Sequence, residues 1–116
     1  MSGIPSDQVL AIMRLRQWAA DRVALRNAKA TQLRQVGWRE RRTRESDARQ
    51  VRVLDFERAL SQLDPMHQSV LVLTYRDGMR HTATAAVIGC SPSNVCYLLT
   101  AARHHLADTL DRLDLL

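Results

Sequence analysis

Ser93, Asn94, Cys96, Tyr97 and Thr100 place two hydroxyls, an amide, a thiol and a phenol within eight residues. All of these groups make hydrogen bonds, and none is spaced as part of a catalytic set. Val95, Leu98, Leu99, Ala102 and Leu106 recur between and after them at three- and four-residue intervals, which is the inward stripe of a helix. The polar set is therefore left facing out. Other reactive side chains suggest no reaction centre. His67, His81, His104 and His105 do not form a metal-ligand set, because the last two are adjacent on a helix and point apart. Cys90 is expected to fill an apolar turn position and Cys96 to lie on the outer face, without the spacing of a zinc site. No glycine-rich loop is present to cradle a phosphate. Neither an enzyme nor a bound cofactor or metal is expected.

The polar row needs a scaffold, and the stretch Asp77 to Leu106 supplies one. Asp77-Gly78 closes the preceding helix, since glycine takes the left-handed conformation that a helix end requires. Thr82 is a candidate N-cap for a short helix containing Ala83, Ala85, Ala86, Val87 and Ile88, which Gly89 breaks. Ser91-Pro92 then starts a second helix: the serine hydroxyl accepts an orphan backbone N–H, and proline occupies the first helical position, where no donor is needed. A short helix, a turn containing glycine and a longer helix with an exposed polar N-terminal face form the arrangement of a DNA-binding helix-turn-helix. Two helices of an ordinary all-α bundle would show much of the same pattern.

A chain of 116 residues makes one domain with room for an extension, and its modest core must be mostly Leu, Val and Ala because aromatics are only 4%. No apolar run approaches the length of a membrane span, and no basic segment followed by an apolar block marks a signal peptide. Two cysteines suggest no disulfide framework, so a reducing cytoplasm is the expected compartment. The net charge of +5 is unevenly spread: residues 1–58 hold 13 Lys+Arg against 7 Asp+Glu, and residues 59–116 hold 4 against 5. Only Lys29 among the 17 basic residues is a lysine. Arginine forks suit phosphate, although a GC-rich genome would give the same bias without any binding role.

Ahead of the helix-turn-helix, Ser6 is placed to cap a helix with Asp7 in its first turn. Val9, Ile12, Met13, Leu15, Ala19 and Val23 supply its apolar face, with Trp18 and Leu25 beside it. This helix is expected to reach about Val36, with Gly37 ending or bending it. Trp38 to Arg52 carries six arginines against three acidic residues, with Glu40 and Arg44, and Glu45 and Arg49, at helical i,i+4 spacing. Arg41, Arg42 and Arg44 are candidates for a strip that tracks phosphates, and a solvated helix or linker laced by internal ion pairs is the plainer alternative. Val53, Phe56, Ala59, Leu60 and Leu63 then mark a helix. Asp64-Pro65 restarts the chain by the same cap-plus-proline logic, and Val70, Leu71, Leu73, Thr74 and Tyr75 lead into Asp77-Gly78. In the C-terminal tail Leu106, Leu110 and Leu113 form a stripe beside Asp108, Asp111 and Asp114. The expected organisation is an N-terminal amphipathic helix and Arg-rich linker over 1–52, then a compact all-α domain of four helices over 53–116.

The pattern FERALSQLDPMHQSVLVLTYRDGM, then ATAAVIGCSPSNV, then LLTAARHHLADTL resembles region four of bacterial sigma factors, over roughly the last 60 residues. The resemblance implies that the helix from Pro92 lies in the major groove. Ser93, Asn94, Cys96 and Tyr97 would then approach base edges, with Arg80, Ser91, Thr100 and Arg103 as phosphate candidates. Two departures stand out. No Arg or Lys occurs between Arg80 and Arg103, where family members often carry a bidentate base reader, and Thr84 occupies a slot that is commonly apolar. The first 55 residues are unlike the part of a complete sigma factor that binds the polymerase coiled coil. The resemblance thus implies a small regulator of the sort phage activators and antiterminators use, binding double-stranded DNA, RNA polymerase, or both, with a homodimer open. The rival expectation is a protein-interaction module that grips RNA polymerase or another regulator while its DNA face is degenerate.

Overall fold

The computed structural model describes residues 7–32 and 39–115, all helix and connecting turns. Helix α1 spans Asp7–Gln32, α2 Arg39–Ser61, α3 Pro65–Leu71, α4 His81–Ile88 and α5 Pro92–Arg112, and a π-helical turn, Val72–Arg76, continues α3. Helix α5 packs against each of the other four helices. Its buried face is Val95, Leu99, Ala102, Leu106, Ala107, Thr109 and Leu110, the inward stripe expected from the spacing. Val70 and Leu71 of α3, Ala85 of α4, and Phe56, Ala59 and Leu60 of α2 close around it. The tail leucines Leu106 and Leu110 belong to this core, with Leu113 half-buried, while Asp108, Asp111 and Asp114 face solvent.

Local signals account for most helix ends. The Asp64 carboxylate accepts the Met66 N–H at 2.9 Å ahead of Pro65, and the Ser91 hydroxyl accepts the Asn94 N–H at 3.1 Å ahead of Pro92. Gly78 and Gly89 adopt φ of 66° and 86°, a region that side chains with a Cβ rarely occupy. Two ends differ from expectation. The N-cap of α4 is Arg80, not Thr82, because the Thr84 N–H already bonds to the Arg80 carbonyl at 2.9 Å and closes the first turn two residues earlier. The helix running into Asp77 loses its α-helical register at Val72, whose carbonyl accepts from Asp77 N–H five residues on.

The apolar face of α1 is rotated from the one its composition suggests. Ala11, Leu15 and Trp18 are buried, whereas Val9, Met13 and Val23 are 43%, 55% and 47% exposed. Contacts with α2 select this face. Trp18 stacks on Phe56 with ring centroids 5.5 Å apart. One turn on, Asp21 is only 3% exposed. Arg52 donates to both of its carboxylate oxygens at 3.1 and 3.0 Å, and Gln17 donates to one of them at 3.1 Å. Arg22 pairs with Glu57 at 2.8 Å and lies over the Trp18 ring. The Arg-rich segment and the helix marked by Val53, Phe56, Ala59 and Leu60 are one continuous α2. The expected Glu40–Arg44 and Glu45–Arg49 pairs involve side chains outside the described residues, as do Ser6, Val36 and Gly37.

Burial by itself raises the pKa of the Asp21 carboxyl. Hydrogen bonds from Arg52 and Gln17, with the charges of Arg52 and Arg49, outweigh it and hold the group below its ordinary 3.8. A carboxylate depressed in the folded state contributes stability above its unfolded value and loses it as pH falls through the folded one. Asp21→Asn is expected to cost about 1 to 2 kcal/mol near neutral pH, less than a fully enclosed pair because Arg52 stays half-exposed. It should also flatten the loss of stability as pH drops through and below 3.8, as read by urea unfolding across that range. Thr84 is fully buried and its hydroxyl has no hydrogen-bond partner among the described residues. Replacing it with the equally sized valine is expected to raise unfolding free energy by about 1 kcal/mol in the same assay.

Candidate nucleic-acid interface

The chain bends by 93° between α4 and α5, within the range of helix-turn-helix units. The Gly89 and Cys90 N–H groups both reach the Ala85 carbonyl, at 2.8 and 3.0 Å. They complete the end of α4 while the chain turns through the left-handed Gly89. Cys90 is half-buried against the core, in the apolar turn position expected for it. The unit is thus fixed by backbone bonds and by the buried stripe of α5, leaving the opposite side of α5 available to a ligand.

That side carries Ser93, Asn94, Cys96, Tyr97 and Thr100, all exposed. Tyr97 is the extreme case, with 73% of its surface in solvent, so both its ring and its hydroxyl are open to a partner. Thr100 directs its hydroxyl to the Cys96 carbonyl at 3.1 Å, so its donor is committed within the helix. Ser91 uses its hydroxyl oxygen as the cap but remains at the exposed start of α5.

The arginines of the C-terminal half sort by what already holds them. Arg76 is paired with Asp77 at 2.9 Å, Arg103 is half-buried and donates to the Tyr75 hydroxyl at 3.3 Å, and Arg112 donates to the Thr109 hydroxyl at 3.3 Å. Arg80 is exposed at the N-cap of α4, and its guanidinium has no partner among the described residues. It is therefore the uncommitted cation beside the helix-turn-helix. Arg44 of α2 is exposed, and the Arg41 and Arg42 side chains lie outside the described residues. The exposed Arg76–Asp77 pair raises the Arg76 pKa and lowers that of Asp77 by their mutual hydrogen bond; such a pair between chain neighbours adds little stability.

Two contacts have no signature in the sequence. His105 stacks on His67 of α3, with ring centroids 5.0 Å apart, and the Cys96 Sγ lies 3.1 Å from His81 Nδ1. Each joins residues on different helices, and no spacing rule connects them. Among the described residues no three His, Cys, Asp or Glu side chains gather closely enough to hold a metal ion. No single described helix is long and apolar enough to cross a membrane.

The family model described as Sigma-70, region 4 matches residues 54–106, from the middle of α2 to the buried part of α5. No curated protein and no solved structure matches the chain.

The cap at the start of the outward-facing helix is open to a direct test. Ser91→Ala removes the acceptor for the Asn94 N–H and is expected to lower stability by about 1 kcal/mol, measured by urea unfolding; Ser91→Asp, which keeps an acceptor, should restore it.

Proposed function

We propose, from the premise that residues 54–106 are a sigma region 4-like helix-turn-helix domain, that this protein binds double-stranded DNA in sequence-directed fashion and regulates transcription. The family is a DNA-binding, transcription-related and non-enzymatic one. The finer reading is that α5 enters the major groove from Pro92, with Ser93, Asn94, Cys96 and Tyr97 toward base edges. The observation that carries it is the division of α5 into a fully buried stripe and an opposite polar face bearing a bare Tyr97. Asn94 has the donor and acceptor pair that matches adenine in the major groove, and an aromatic edge suits a thymine methyl. Arg80 is the favoured phosphate contact because, among the described residues, it alone of the four arginines in residues 59–116 has no partner. Ser91, Thr100 and Arg103 are weaker candidates, since each side chain already serves another bond. Arg41, Arg42 and Arg44 would add sequence-independent affinity.

A second reading has its own support. Pro65, Met66, Val72, Leu73, Val87 and Ile88 line an open groove between α3 and α4, with Val87 61% and Met66 42% exposed. An apolar groove of this kind would accept a helix or strand of RNA polymerase or another regulator, and the domain would then act through protein contacts.

The two readings separate by mutation. Binding to a site selected from randomised duplex, read by fluorescence anisotropy, should fall by at least about 100-fold in Asn94→Ala/Tyr97→Ala, the loss of two base contacts, while binding to scrambled duplex changes little. Arg80→Ala should weaken both and reduce the slope of log affinity against log salt by about one. Retention of polymerase capture, with no selected site recovered, would instead favour the groove.

A further inference from the structure

We propose that Cys96 and His81 form a reactive thiol pair on the DNA-reading face, and that mixed-disulfide formation at Cys96 with a low-molecular-weight disulfide switches DNA binding off. The switch rests on the reading of α5 as the recognition helix; the reactivity of the thiol does not.

Three observations converge on the pair. The Cys96 Sγ and the His81 Nδ1 are 3.1 Å apart, within hydrogen-bond reach, with the ring tautomer setting which of the two donates. The two residues come from different helices, α5, whose start is capped by the Ser91 hydroxyl, and α4, whose end turns through Gly89, and the two helices meet at a 93° turn. The distance is therefore set by the packing of the helix-turn-helix rather than by a mobile side chain alone. Both residues are exposed, so a disulfide can reach the sulfur. A nucleophile and a base within hydrogen-bond reach, open to solvent, are the parts needed for thiol attack. Cys90, the other free cysteine, is half-buried in the turn against the core and provides an internal contrast.

With glutathione disulfide as co-reactant the chemistry balances. The Cys96 S–H proton passes to His81, and the sulfur attacks one sulfur of the disulfide. A Cys96–S–S–glutathione bond forms as the S–S bond of the reagent breaks, and the leaving thiolate takes the proton back from His81 to depart as glutathione. Cys96 is oxidised to the disulfide level and the departing sulfur is reduced to a thiol, with no other electron donor or acceptor. The product places an anionic tripeptide beside Tyr97, at the edge of the polar face assigned to base edges. It fills the space a base pair would occupy and repels phosphate.

The test uses the full chain and two readouts. Reaction with glutathione disulfide is followed by peptide mass spectrometry, comparing Cys96 with Cys90 and comparing the protein with His81→Gln. Cys96 should react first, and His81→Gln should slow it by about tenfold, below the roughly 100-fold or more of an enclosed general base. Cys96 reacting no faster than Cys90, or at an unchanged rate in a folded His81→Gln protein, would overturn the pair. Affinity for a selected duplex is then measured on reduced, glutathione-loaded and re-reduced protein. A loss of about tenfold or more, 1.4 kcal/mol, that reverses on reduction is expected, and loaded protein that binds as tightly as reduced protein would overturn the switch. Reduced protein that selects no DNA site would overturn the recognition-helix reading and the switch with it, while the labelling rates would still decide whether the pair is reactive. Repeating the affinity measurement in Cys90→Ser assigns any loss to Cys96.

Discussion

Burial of one stripe of α5 is the constraint on which the remaining structure depends. Val95, Leu99, Ala102, Leu106 and Leu110 are almost completely removed from solvent, and α1, α2, α3 and α4 all pack against the helix that carries them. Because α-helical residues repeat at 3.6 per turn, fixing that stripe fixes the direction of every other side chain on α5. Ser93, Asn94, Cys96 and Tyr97 face outward because the core claims their neighbours. The stability of the domain and the orientation of its candidate reading surface therefore share a physical origin.

The N-terminal half is attached by a different kind of contact. Stacking of Trp18 on Phe56 supplies apolar burial between α1 and α2, and the nearly enclosed Asp21 carboxylate fixes the rotation of α1 through two bonds from Arg52. A carboxylate buried at this seam without such donors would be costly, so the pair favours the observed rotation of α1. The indole N–H of Trp18 has no partner among the described residues, and its contribution to this seam is the stacking on Phe56.

Charge and chemistry are distributed unevenly over the helix-turn-helix. Intramolecular bonds occupy Arg76, Arg103 and Arg112, while Arg80 at the N-cap of α4 has no partner among the described residues. The exposed face of α5 carries neutral side chains, so the base discrimination proposed for it would come from Asn94, the hydroxyls and the Tyr97 ring, through geometry more than field strength. The same neutrality leaves the Cys96 thiol among uncharged neighbours, with His81 across the turn as its partner.

Much of the fold was legible in the residues themselves. Asp64-Pro65, Gly78, Gly89 and Ser91-Pro92 set helix ends through bonds spanning a few residues, and the spacing of Val95 to Leu106 determined which side of α5 is inside. Such signals are local, so the chain alone carries them, and the family pattern over α2 to α5 follows from them. The start of α4 at Arg80 and the π-helical register at Val72 were not legible, since each depends on which backbone bonds close first in the packed state. On α1 the spacing pointed to a face with Val9, Met13 and Val23, which lie exposed, and Trp18, Asp21 and their partners on α2 chose the face that is buried. The pairing of His81 with Cys96, and the commitment of Arg103 to Tyr75, likewise belong to the tertiary structure. These contacts join residues far apart in sequence, so they arise only when helices with separately encoded ends are brought together around one buried stripe.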